Sequence, residues 1–163
     1  MNTLWTPWRM EHIVSPDQEP GTCLFEPPTS QAHAKEFLLL HQGGGVVILL
    51  NRFPYTNGHL LVAPARHVPC ITDLNEEESE KLMSWLRKAT AILKQVLVPD
   101  GFNIGLNLGS DAGAGIDDHI HFHIVPRWQG DHNFMTVVSE IRTIPQHIEH
   151  TFDTLLPLFT KES

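Results

Sequence analysis

Cysteine is scarce in this chain. Only Cys23 and Cys70 occur among 163 residues, too few for the disulfide framework of a small secreted domain. A secretory leader is also missing, since Met1-Asn2-Thr3-Leu4-Trp5-Thr6-Pro7-Trp8-Arg9 lacks an apolar core of the length export requires. The longest apolar stretch, Val46 to Leu50, falls far short of the roughly 20 residues that span a bilayer. No run of Lys or Arg offsets a formal net charge of −8. A long nucleic-acid partner is therefore not expected, because affinity for a phosphate backbone needs clustered cations. A small phosphate ligand survives that exclusion, because backbone N–H groups and a few local cations are enough to hold one. These absences point to the reducing cytoplasm as the address, with no membrane and no nucleic acid as partner. Repeats, linkers and low-complexity segments are absent as well. A hydrophobic fraction of 41% and a charged fraction of 18% suit a single globular domain over residues 1–163.

Residues 1–30 contain Pro7, Pro16, Pro20, Pro27 and Pro28 and read as irregular chain packed on the domain through Trp5 and Trp8. Phe37 to His41 and Val46 to Leu50 flank Gly43-Gly44-Gly45, which predicts strand, turn and strand. Pro54, Asn57 and Gly58 supply turn chemistry before a third strand over His59 to Pro64. Asn75 with Glu78 has the pattern of an N-cap with its reciprocal acid. Beyond it Leu82, Leu86, Ala89, Leu93, Val96 and Leu97 recur at helical intervals, predicting one long amphipathic helix that ends near Pro99-Asp100-Gly101. Phe102 to Leu108 and His119 to Val125 alternate as a fourth and a fifth strand, and a terminal helix is expected over Gln146 to Phe159, started at Pro145. Strands in sequence with helices set apart indicate an α+β domain on an antiparallel sheet.

Eleven histidines are many for this length, and they are unevenly placed. In Asp118-His119-Ile120-His121-Phe122-His123-Ile124-Val125 every second residue from His119 to His123 is an imidazole. In a strand such residues share a face at a spacing of roughly 6.6–6.8 Å. Ile120, Phe122 and Ile124 then bury the other face. One apolar face and one imidazole face suggest a built site, either a metal centre or nucleophilic and acid–base machinery. Two neighbours favour the second. Asn107 to Gly115 is a loop with little side-chain bulk, which lets backbone amides approach an anion. His59 adds a fourth imidazole directly after a turn glycine.

On these residues the chain resembles the histidine triad (HIT) family, whose signature is His-x-His-x-His followed by two apolar residues, here His119 to Val125. Asn51, Tyr55-Thr56-Asn57-Gly58-His59-Leu60-Leu61-Val62, Pro64-Ala65-Arg66-His67 and the glycine loop support the likeness. Leu4 to Met10, Pro126-Arg127-Trp128 and Gly130-Asp131-His132-Asn133-Phe134 resemble the branch that contains bacterial diadenosine tetraphosphate phosphorylases.

The resemblance implies a HIT-like fold: a five-stranded antiparallel sheet, one long helix, a C-terminal helix and a homodimer. It implies a nucleotide substrate of the dinucleoside polyphosphate class, with His121 as nucleophile on the α-phosphorus and a covalent nucleotidyl intermediate. His123 and His59 would donate to phosphate oxygens, and His119 would orient the site. Asn51 resembles the position that meets the ribose, a turn-stabilising asparagine being the other reading. Asn107, Gly113, Ala114 and Gly115 would meet the phosphates, and strand residues near Leu49 and Leu50 the base. No metal or cofactor is required for the catalysis implied. Many relatives hold a structural zinc with a Cys-x-x-Cys pair; here Glu26 replaces the second cysteine, leaving Cys23, Glu26, His67 and His119 as the corresponding ligands. Phosphorylase and hydrolase differ only in the acceptor. A nucleoside phosphoramidate hydrolase and a nucleotide-binding sensor with little turnover stand as alternatives. A metallohydrolase is weaker, since its His-x-His-x-Asp-His pattern is missing.

Overall fold

A computed structural model describes residues 23–27, 33–131 and 146–161. The irregular segment expected over 1–30 lies mostly outside the described residues, as do Pro145 and residues 132–145. The described residues build a five-stranded antiparallel sheet from β1 (Leu39–Gly43), β2 (Val46–Leu50), β3 (Leu60–Pro64), β4 (Gly101–Leu106) and β5 (Phe122–Arg127). Its strand order is β1-β2-β3-β5-β4. Two helices accompany it, α1 (Glu76–Leu97) and α2 (Ile148–Lys161).

Alternation in the strands divides the core in two. Val46, Ile48, Leu50, Leu60, Val62 and Ile124 face α1 and α2 and pack with Leu82, Trp85, Leu86, Leu93, Phe152 and Phe159. Val47, Leu49, Leu61 and Ala63 point to the opposite face and pack with Phe25 and Leu39. Burial of both faces explains why β2 and β3 read as continuous apolar runs.

The long helix begins where expected. Asn75 accepts from the Glu78 N–H at 2.9 Å, and the Glu78 carboxylate accepts from the Asn75 N–H at 3.0 Å. Four strands differ from expectation: β3 starts one residue later, at Leu60, and β4 spans Gly101–Leu106 rather than Phe102 to Leu108. β1 starts at Leu39 rather than Phe37, because turns run through residues 33–38 and Leu38 is left-handed with φ 54°. β5 starts at Phe122 rather than His119. The β3 ladder reaches Val62 opposite Phe122, and two residues further on stands Pro64, which has no N–H to continue it. The Ile120 N–H instead donates to Val68 O at 2.7 Å. The terminal helix starts at Ile148, two residues later than expected.

Candidate functional site: the histidine cluster

Register places the site on the sheet face away from the helices. Leu49 pairs with Leu61, and Leu61 with His123, so all three lie in one row across β2, β3 and β5. Leu50 points to the helical side. Of the two residues named for a base pocket, only Leu49 shares the histidine face.

The triad histidines are neighbours although the first two precede the strand. The His121 and His123 rings lie 5.0 Å apart, and the Phe25 ring lies 5.0 Å from both His119 and His121. His119 is fully buried, and His121 is only 6% exposed. The site is thus more enclosed than a half-exposed strand face.

Proton positions follow from fixed acceptors. A backbone carbonyl only accepts, so His121 Nδ1 donates to His119 O at 2.9 Å. The lone pair of His121 is then on Nε2. Likewise His119 Nε2 donates to Pro64 O at 2.9 Å, which turns the Nδ1 lone pair toward Cys23 Sγ at 3.1 Å. Burial lowers the His119 pKa and raises that of the Cys23 thiol, so both are neutral. His59 is fully buried, with Nε2 2.9 Å from His123 Nδ1. That geometry sets His59 directly against His123.

Asn107 closes the glycine loop by donating from Nδ2 to Gly113 O at 3.3 Å. Ser110–Ala112 forms a single 3-10 turn between Gly109 (φ 79°) and Gly113 (φ 87°), conformations that favour glycine. The amides of Ala112, Gly113 and Ala114 bond to carbonyls inside the loop. In this arrangement those three do not form the open cradle that composition suggested. Ile116, at the end of the loop, packs on the Phe25–Leu49 cluster.

Ligand atoms of Cys23, Glu26, His67 and His119 lie within 4.8 Å of one another. His67 Nδ1 is 3.3 Å from the Glu26 carboxylate, and Nε2 is 3.6 Å from Asp118. One thiol, one carboxylate and two imidazoles suit zinc, and the Pro64 carbonyl already orients His119 as an outer partner would. The residues fit the metal.

Sequence reasoning missed Phe25 and Tyr55. Phe25 sits within the Cys23–Glu26 turn and packs on two triad imidazoles. Tyr55 lies 4.7 Å from the His59 ring and stacks on His123 at 6.0 Å and 19°. For Tyr55 the available signal was an aromatic residue four positions before His59; for Phe25 it was only its place between Cys23 and Glu26.

The HIT domain family model matches residues 32–130. The chain is 40% identical over 157 residues to an AP-4-A phosphorylase of Mycobacterium tuberculosis, covering 93% of this chain and 80% of that one. It is 38% identical over 82 residues to an asymmetrical bis(5'-nucleosyl)-tetraphosphatase of Schizosaccharomyces pombe, covering 50% of this chain and 44% of that one. Among solved structures, a zinc-bound histidine triad family protein from Mycobacterium smegmatis aligns with a TM-score of 0.61 at 26% identity, covering 77% of this chain and 85% of that one. The matched span includes His59 and the whole of the histidine cluster, and on this evidence the chain belongs to the HIT family.

Proposed function

We propose that the chain is a nucleotidyl-transfer enzyme acting on dinucleoside polyphosphates of the diadenosine tetraphosphate kind, with His121 as the nucleophile. The observation that carries this is the 2.9 Å bond from His121 Nδ1 to His119 O, which makes Nε2 the nucleophilic nitrogen. The likeness to an AP-4-A phosphorylase over 93% of the chain supports the substrate class.

Nε2 attacks the α-phosphorus, and the bond from phosphorus to the bridging oxygen breaks. Its electron pair leaves with the polyphosphate, which departs as an anion while the His123 Nε2–H donates a hydrogen bond to its oxygen. In the second half the Nε2–phosphorus bond breaks as an acceptor oxygen attacks, and its electron pair returns to the ring. Water as acceptor gives a nucleoside monophosphate and releases a proton to solvent, and inorganic phosphate gives a diphosphate. Leu49 and Leu61 offer an apolar strip beside His123 for the base. Asn107 with Gly113, Ala114 and Gly115 forms the loop nearest in sequence to the phosphates' expected place.

Incubation with diadenosine tetraphosphate tests the reading. ADP and ATP are expected with phosphate present if the chain is a phosphorylase, and AMP and ATP without regard to phosphate if it is a hydrolase. Tight binding with neither product set would contradict it and leave a sensor.

We also propose a structural zinc ion held by Cys23, Glu26, His67 and His119. When bound, it supplies a cross-link between the N-terminal turn, the segment after β3 and the start of the triad. A homodimer is proposed as well, supported by β4, an edge strand on which Ile104 is 48% exposed.

A further inference from the structure

Asn51 and His59 close the ends of β2 and β3, where the Asn51 N–H donates to His59 O at 2.9 Å. Around them, two backbone N–H groups settle where the side-chain protons are, because such a group can only donate. The Phe53 N–H donates to Asn51 Oδ1 at 2.9 Å. The amide atom turned to His59 is therefore Nδ2, a donor, 3.3 Å from His59 Nδ1. The Tyr55 N–H reaches that same nitrogen at 3.1 Å. Two donors converge on His59 Nδ1, so this atom carries the lone pair of the ring.

The consequence passes outward. The proton of neutral His59 is on Nε2 and is donated to His123 Nδ1 over 2.9 Å. His123, accepting at Nδ1, keeps its own proton on Nε2. The Tyr55 ring lies over both imidazoles and holds their planes in place.

We propose that Asn51 is a positioning residue for His123, acting through His59. With Tyr55 it saturates His59 Nδ1 and so fixes His123 as a hydrogen-bond donor from Nε2, able to aim that N–H at phosphate oxygens. The proton assignment stands on the hydrogen bonds alone; its catalytic meaning rests on the nucleotidyl-transfer reading above.

Nitrogen-15 spectra of the histidine side chains in the full chain test the assignment without substrate. The unmodified protein should show lone-pair nitrogens at Nδ1 of His59 and of His123, and protonated nitrogens at both Nε2 positions. Asn51→Asp sets a carboxylate oxygen where the amide donor stood, and should place a proton on His59 Nδ1. With diadenosine tetraphosphate as substrate, the same variant should lose on the order of 10²-fold in kcat, the scale of losing one aimed donor to developing phosphate charge, with KM nearly unchanged. A protonated His59 Nδ1 in the unmodified protein would overturn the proposal, and so would an Asn51→Asp spectrum identical to it. Asn51→Ala raising KM alone, with both histidine signatures intact, would also overturn it and leave Asn51 a substrate-binding role alone. The unmodified spectrum needs no variant to fold. If the unmodified enzyme makes no product, the functional reading fails while the spectra still decide this inference.

Discussion

Three contacts meet at His119. Its Nε2 is tied to Pro64 O, its Nδ1 faces Cys23 Sγ, and its carbonyl accepts from His121 Nδ1. One residue thereby links the proposed metal site to the proposed nucleophile, the first through its ring and the second through its backbone. Binding zinc displaces the thiol proton, so affinity falls in acid. Untagged protein should carry about one equivalent of zinc by elemental analysis, and Cys23→Ser should lose most of it, because a thiolate is a far stronger zinc ligand than a hydroxyl. Protein with well under one equivalent would remove the metal from the account. At this scale the sequence was informative about which residues matter. The alternation of His119, His121 and His123, and the family resemblance at Cys23 and Glu26, named residues that the fold brings together. It was silent on protons. Which nitrogen of His119, His121 or His59 carries hydrogen depends in turn on Pro64 O, His119 O and the Tyr55 N–H, which no spacing rule reveals.

The elements hold these residues through a few close approaches. Gly58 has φ 75°, and a Cβ there would stand 2.3 Å from Leu97 Cδ1 at the end of α1. Gly58→Ala should therefore cost about 2–3 kcal/mol in denaturant unfolding, from overpacking and left-handed strain together. It should also lower activity, since His59 is the next residue. A change within about 0.5 kcal/mol would show that the turn and helix do not meet as described. At the other end of α1, Arg66 binds the Glu78 carboxylate through Nε and a terminal nitrogen, each at 2.7 Å. That guanidinium, with the Asn75 N–H, holds the Glu78 pKa down at about 2. The capping acid thus also secures the segment leading to His67. The helix was legible because its cap and its apolar period are local signals, and Asn75 with Glu78 closed the box expected of them. The start of β5 was not. It depends on Pro64, which lies on another strand and far away in sequence, and alternation alone carried the expected strand back to His119.

Over the whole molecule, the sheet keeps helices on one face and the histidines on the other. Among the described residues, β1 and β4 are the edge strands. β4 carries Ile104 at 48% exposed, with Leu108 just beyond it at 38%. An open edge with apolar residues invites strand pairing with a second copy. Light scattering after gel filtration should return a dimer, and Ile104→Glu should shift it toward monomer; a monomer at every concentration would contradict the proposed assembly. Among the described residues, no helix is long and apolar enough to cross a membrane. Fold class and strand number were readable from the order of apolar runs and turns, and the family from the triad itself. The enclosure of His121 was not, because it depends on Phe25 arriving from a distant turn. The most direct test of the account quenches the enzyme in acid-free denaturant during turnover of diadenosine tetraphosphate and maps the adduct by mass spectrometry. The account predicts a single adenylyl group on His121, missing from His121→Ala. An adenylyl group on any other residue, or turnover retained by His121→Ala, would contradict it.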